Sequence, residues 1–338
     1  MIYLGEQEEA LGVYSNEAVC FLSIKLKGRL SKTNKKGYKC ADDNCHNCNT
    51  RRKNTKINSN FRKLFTTSRI KGLICSTPQE LIDLYGKIES EYIAPDNLKE
   101  NSFKEQCQKL FVTSGYTGWF GEEDKKVETD KWNYRLAKLL NKHTCTYCNR
   151  EYTFVYRRKG KGMVPQFDHW FPKEKKPLLA ISFYNLIPSC ATCNAIKSNE
   201  EFNLKDHLHP YVDKEISNSY KFDYIFKETH VPEILLKNNT LLGNKGKNTF
   251  DALNLPFIYK GHSDKELKDL YDLRFKYSEN YLESLIKNTF GNHLPISDKE
   301  KYRLIFGIEL EAKDYHKRIM SKFKGDIIEK LLSISTGN

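Results

Sequence analysis

The sequence predicts an α+β fold that is predominantly helical. A zinc-stapled strand–strand–helix module is expected between an N-terminal α/β zone and a C-terminal helical zone. Three observations predict this. Two Cys-x-x-Cys pairs, Cys145/Cys148 and Cys190/Cys193, bracket residues 149–189. Between the pairs, apolar stretches on either side of a Gly/Lys-rich turn read as strands, and the residues after the second pair read as a helix. Elsewhere apolar residues recur at helical spacing behind capping signatures.

The chain has 338 residues, 39% hydrophobic and 12% aromatic, which fits two or three domains with a buried core and excludes global disorder. Fifty-six Lys and Arg against 43 Asp and Glu leave a net charge of +13, a surplus that favours a polyanionic partner. The opening MIYLGEQEEALG has neither a basic n-region nor an apolar h-region, and no run of about 18 apolar residues occurs. The sequence therefore reads as cytoplasmic, with no membrane association. In a reducing compartment its ten cysteines suggest metal ahead of disulfides.

The first zone, residues 1–128, opens on Ala18–Leu26 (AVCFLSIKL), which reads as a strand. A basic, turn-rich stretch follows, KLKGRLSKTNKKGYKC and then RRKNTK. Thr77-Pro78-Gln79-Glu80 then forms a capping box with proline at the first helical position, and Leu81, Leu84, Tyr85 and Ile88 give that helix its apolar stripe. In the second zone, residues 129–212, a helix spans Asp130–Lys142 with Trp132, Leu136, Leu139 and Leu140 on one face. Tyr152–Tyr156 and Val164–Phe167 read as the arms of a hairpin around RRKGKG, and the second arm delivers Asp168 and His169 at its end. ATCNAIKSNEEF then begins a helix. The third zone, residues 213–338, reads as mostly helical. It has capping boxes at Ser263/Glu266 and Ser297/Glu300, and apolar residues at helical spacing: Leu267, Leu270 and Tyr271, then Ile319, Phe323, Ile327 and Leu331. Lys317, Arg318, Lys322 and Lys324 on the last helix read as a solvated face.

A CxxC knuckle sets two thiolates about 3.5–4 Å apart on one side of a tight turn, and two knuckles close a tetrahedral structural zinc site. Cys145, Cys148, Cys190 and Cys193 are the expected ligands. No thioredoxin-like βαβ pattern surrounds them, which argues against redox work. Within this frame Asp168 offers a hard oxygen ligand for magnesium or manganese, and Asn194 offers a neutral second one. The neutral imidazole of His169 can take a proton from water. Asn185 is placed to fix the tautomer of that ring, and Lys197 is expected to reach a phosphate.

A second cluster, CADDNCHNC, suggests another zinc knuckle from Cys40, Cys45 and Cys48, with Cys75 or His46 as the fourth ligand. Cys20 and Cys107 read as core residues.

The segments CTYCNREYT, QFDHWFPKEKKPLLAISFYNLIPSCATCN, AIKSN and HLHPYVDK resemble the HNH, or ββα-metal, endonuclease family. They are similar above all to the HNH nuclease subunits of Septu-type and retron-linked anti-phage systems, and the helical tail from GNKGKNTFDALNL to YHKRIMSKFKGDI shares that likeness. The resemblance implies that His169 is the general base, Asp168 a metal ligand, Asn185 the residue that orients the base and Asn194 the final metal-binding position, an HNN variant. It also implies structural zinc on the four cysteines, and for His209 in HLHPY a packing role or a supporting role beside the metal ligands ahead of direct metal ligation. It makes DNA the expected substrate and an ATPase subunit the expected partner, since the chain has no GxxxxGK[ST] loop of its own. A non-catalytic zinc-stabilised nucleic-acid binder and an RNA-cleaving toxin are the competing readings. The N-terminal zone matches no family.

Overall fold

The computed structural model describes residues 1–40, 48, 51–94, 100–121, 131–158, 161–226, 232–276, 284, 288 and 303–333. Its first long element corrects the sequence reading. Residues 18–26 belong to a helix, α1 (Glu8–Lys27), and not to a strand. Tyr14, Ala18, Phe21 and Leu22 enter the main core, while Cys20 and Ile24 join a separate small cluster on another side. A helix buried on more than one side loses its polar stripe, so its apolar run looks like that of a buried strand. The charges did mark it, with Glu8 and Glu9 at the N-terminus and Lys25 and Lys27 at the C-terminus complementing the helix dipole.

Two short helices, α2 (Ser59–Lys63) and α3 (Thr67–Cys75), are followed by a longer one, α4 (Pro78–Ile93). The capping box of α4 forms as expected, its Glu80 carboxylate accepting from the Thr77 N–H and hydroxyl at 2.9 Å each. Leu81, Tyr85 and Ile88 are buried. Next, α5 (Glu100–Cys107) runs on as a wider, π-type helix over Gln108–Phe120. The helix expected over 130–142 is shorter, α6 (Trp132–Leu140), ended by Asn141 in the left-handed conformation.

The strands also differ from expectation. β1 (Tyr156–Arg158) pairs antiparallel with β2 (Lys161–Met163), so Arg157, Arg158, Lys161 and Gly162 of RRKGKG are strand residues. Residues 151–153 stay outside it because their backbone closes the first cysteine knuckle: Cys145 N–H donates to the Glu151 carbonyl and Thr153 N–H to that of His143. The strand that carries Asp168 and His169, β3 (Gln166–His169), pairs instead with β4 (Leu186–Ser189), antiparallel, with Asp168 opposite Ile187 and His169 opposite Leu186. Helix α7 (Ala191–Lys197) follows β4 directly. A strand–strand–helix unit is therefore present, built on a later second strand than the sequence suggested.

The C-terminal zone holds a hairpin that the helical reading missed, β5 (Tyr220–Phe226) with β6 (Pro232–Asn238). Its alternating Tyr220, Phe222 and Tyr224 point inward, and Phe222 meets Phe323 of the last helix edge-on at 5.4 Å. Helices α8 (Lys245–Ala252), α9 (Leu255–Lys260), α10 (Lys268–Lys276) and α11 (Ser321–Ser333) lie around and after this hairpin. Ser263 does not cap a helix; its hydroxyl accepts from the Ile234 N–H of β6. Ser297 and Glu300 lie outside the described residues. Lys317 and Arg318 precede α11 rather than decorate it. Lys317, Arg318, Lys322 and Lys324 are paired with Asp314, Glu309, Asp326 and Glu266 respectively, so they form no bare cationic stripe.

One contiguous set of buried apolar side chains reaches from Met1 to Leu331. Tyr14 of α1 lies among Trp119, Phe120, Trp132 and Phe183, and its hydroxyl donates to the Ile181 carbonyl at 2.9 Å, which ties α1 to the loop between β3 and β4. Among the described residues no helix is long and apolar enough to cross a membrane.

His209 is fully buried in this core, its ring 4.5 Å from that of Trp170, and its Nδ1 accepts the Tyr211 N–H. That is a packing role. Burial, aided by Lys245, lowers its pKa to about 3. Above about pH 6.5 the ring is neutral in both folded and unfolded chains. Below that, the unfolded chain gains a proton that the folded chain refuses. Stability should therefore fall by about 1.4 kcal/mol per pH unit from this residue until about pH 3. Denaturant unfolding of His209→Gln at pH 7, 6 and 5 should show a pH dependence shallower than wild type, by a difference that approaches one proton only near pH 5, and parallel slopes would refute the assignment.

Candidate functional site

The candidate metal centre is built at the junction of the first knuckle with the start of α7. Asn149, at φ 53°, makes the turn that brings Cys148 back over Cys145, and its N–H donates to the Cys145 carbonyl at 2.9 Å. Cys190 caps α7, its Sγ accepting from the Cys193 N–H, and Cys148 Sγ accepts from the Arg150 N–H. All four cysteines are buried and their sulfurs lie within 4.8 Å of one another, with Cys148 and Cys190 3.9 Å apart. Zinc–sulfur bonds of about 2.3 Å give a tetrahedral edge of about 3.8 Å, so the donor set fits zinc. Burial pushes the Cys145 thiol up, while hydrogen bonding from Cys145 pulls Cys148 down. Packing four thiolates here calls for a cation to carry their charge. The four-cysteine cluster can thus bind zinc structurally.

Beside it, Tyr116, Asp168, His169, Lys173, Glu174 and Asn194 border a cleft of about 300 Å³. Adjacent strand residues face opposite ways, yet at the end of β3 both Asp168 and His169 reach the cleft wall. Asp168 is nearly fully buried; its Oδ2 accepts from the Tyr147 hydroxyl at 2.5 Å and lies 3.5 Å from Lys197 Nζ. Burial raises its pKa, and Lys197 and Tyr147 oppose that shift. His169 Nε2 is 2.9 Å from the Ala180 carbonyl. A carbonyl can only accept, so Nε2 carries the proton and Nδ1 keeps a lone pair. Burial, more than the nearby Lys173, lowers the ring's pKa to about 3, and the ring stands edge-on to Tyr116 at 4.3 Å. Asn194 donates through Nδ2 to Gln166 Oε1 at 2.7 Å.

The structure brings Asp168, His169 and Asn194 to one cleft and corrects two further expectations. Asn185 does not touch the His169 ring. Its side chain accepts from the Phe171 N–H at 2.6 Å and donates to the Phe171 and Leu179 carbonyls. It holds the loop whose Ala180 carbonyl orients the ring, so it acts on His169 at one remove. Lys197 does not reach outward to a phosphate. Its side chain is buried over the Phe202 ring and donates to the His169 carbonyl at 2.8 Å. Sequence reasoning also missed Tyr147, although its position between the two cysteines of a knuckle was a usable signal. The Ala180 carbonyl has none.

In the second cluster, Cys20, assigned to the core from sequence, stands with Cys40 and Cys48. Cys75 is not among them, while Cys45 and His46 lie outside the described residues. Cys107 is a buried core residue, as expected.

No protein-family model and no solved structure matches the chain. It is 27% identical over 122 residues to the Septu protein PtuB of Bacillus thuringiensis, a match that covers 36% of this chain and 40% of that protein's length.

Proposed function

We propose that the cleft is the active site of a metal-dependent endonuclease of the HNH type that hydrolyses DNA phosphodiester bonds, working in anti-phage defence of the Septu kind with an ATPase partner. The observation that carries this reading is the meeting of Asp168, His169 and Asn194 at one cleft, on a strand–strand–helix unit beside a cysteine cluster. The net charge of +13 suits a polyanionic substrate, and the Septu name of the relative agrees with the resemblance found in the motifs.

Asp168 and Asn194 would hold a magnesium or manganese ion. The nitrogen of Asn194 is committed to Gln166, which leaves Oδ1 as its ligand atom. When bound, the cation would neutralise charge on the phosphate and on the departing oxygen. His169 Nδ1 would accept a proton from the attacking water, with Nε2 anchored on Ala180 so that the ring cannot turn away. Tyr147 and Lys197 hold the Asp168 carboxylate from behind.

Supercoiled plasmid and matched RNA, incubated with magnesium or manganese, test the reading. Wild type should cut the plasmid. Asp168→Asn keeps an acceptor for Tyr147 but loses the charge, and should need at least about tenfold more cation for the same rate. Unchanged cation dependence would remove Asp168 from the site, and cutting of RNA alone would replace the substrate.

A further inference from the structure

We propose that Cys20, Cys40 and Cys48 form a second zinc site, separate from the four-cysteine centre, which pins the basic segment after α1 onto that helix. The three sulfurs lie within 4.8 Å of one another; Cys20 is 3.8 Å from Cys40 and 3.6 Å from Cys48. These separations match the edge of about 3.8 Å in a zinc–thiolate tetrahedron. They are far beyond the disulfide bond length of about 2.05 Å. The sulfurs take three corners, and a further donor takes the fourth.

Convergence of this kind has a second motive in the local packing. Cys20 and Ile24 on α1 meet Cys48, with Tyr38 and Cys40 the partly buried neighbours packed against them among the described residues. So small an apolar cluster stabilises little by burial alone. The segment it must hold is cationic: Arg29, Lys32, Lys35, Lys36, Lys39, Arg52 and Lys53 are all exposed. Repulsion among them works against order. A zinc held by several thiolates carries net negative charge, so it would cross-link the segment and offset that repulsion together. Arg51, with its guanidinium over the Phe21 ring at 6.0 Å, adds a further positive charge against α1.

The inference does not depend on the nuclease reading, because it is read from metal content. Wild-type full-length protein, purified without chelator, should contain two zinc ions per chain, one for each cysteine group. Cys40→Ser, at a half-buried position, should lose one and keep the other. One zinc in wild type, or two in Cys40→Ser, would overturn the proposal. Alkylation of the wild type, mapped by mass spectrometry, covers the case in which the variant does not fold. Cys40 should be protected in the holoprotein and labelled once a chelator has removed zinc. Equal labelling with and without chelator would also overturn it.

Discussion

Cys193→Ser should strip the four-cysteine centre of its zinc and cost the protein most of the stability of the surrounding module. Structural zinc contributes on the order of 10 kcal/mol to folding where no other core exists. Here the apolar core is shared, so a loss of several kcal/mol is expected, enough to lower the melting temperature by more than ten degrees or broaden the transition. The centre also joins the knuckle after α6 to the first turn of α7. Two consequences converge on the cleft. Asn194 follows Cys193 directly, so a freed α7 no longer holds that amide against Gln166. Tyr147 lies between Cys145 and Cys148, so a loosened knuckle releases its hydrogen bond on Asp168. Circular dichroism melts and zinc analysis give the readout. A variant with one zinc fewer and an unchanged melt would show that packing, and not metal, holds the module.

That linkage explains which parts of the site were legible in the sequence. The four cysteines declare themselves because zinc needs one residue type at fixed spacing. Asp168 and His169 stand out because they are adjacent polar residues closing an apolar strand. The Ala180 carbonyl that orients His169 could not be read, since a backbone acceptor has no residue signature. Lys197 was misjudged for a geometric reason. At about 3.6 residues per turn, Cys193 and Lys197 stand only about 40° apart on α7, whereas Asn194 lies about 60° from Lys197. Lys197 therefore shares the buried face of the zinc ligand, not the face of the cleft, and its charge is spent on Asp168 and the His169 carbonyl.

The helices show the same division. Those with one buried stripe and a cap, α4 and α6, were readable, whereas α1 was not because two sides of it are buried. The β5–β6 hairpin was overlooked despite its alternating aromatics, because the flanking helical patterns dominated the window. Cys20 could be joined to Cys40 and Cys48 only once α1 was known to be a helix that runs past them.

On the proposed nuclease reading, His169→Ala should lower DNA cleavage by about 10²–10⁴-fold, the usual worth of a positioned general base, with zinc content unchanged. The size of the effect follows from the lack of substitutes in the cleft. The Tyr116 hydroxyl is committed to the Phe167 carbonyl, and Asp168 is engaged by Tyr147 and Lys197. Among the described residues that border the cleft, Glu174 is the one rival, and it sits 2.9 Å from Lys173 in a largely solvent-exposed pair. Paired variants decide between them. Glu174→Gln should cut within a few-fold of wild type, because an exposed pair with its neighbour contributes little to positioning. His169→Ala should be nearly inactive at saturating cation, which separates loss of the base from loss of a metal ligand. If the two variants exchange these behaviours, the proton goes to the carboxylate, and the hydrogen bond from His169 to Ala180 becomes a packing contact of β3 instead of the device that aims a base.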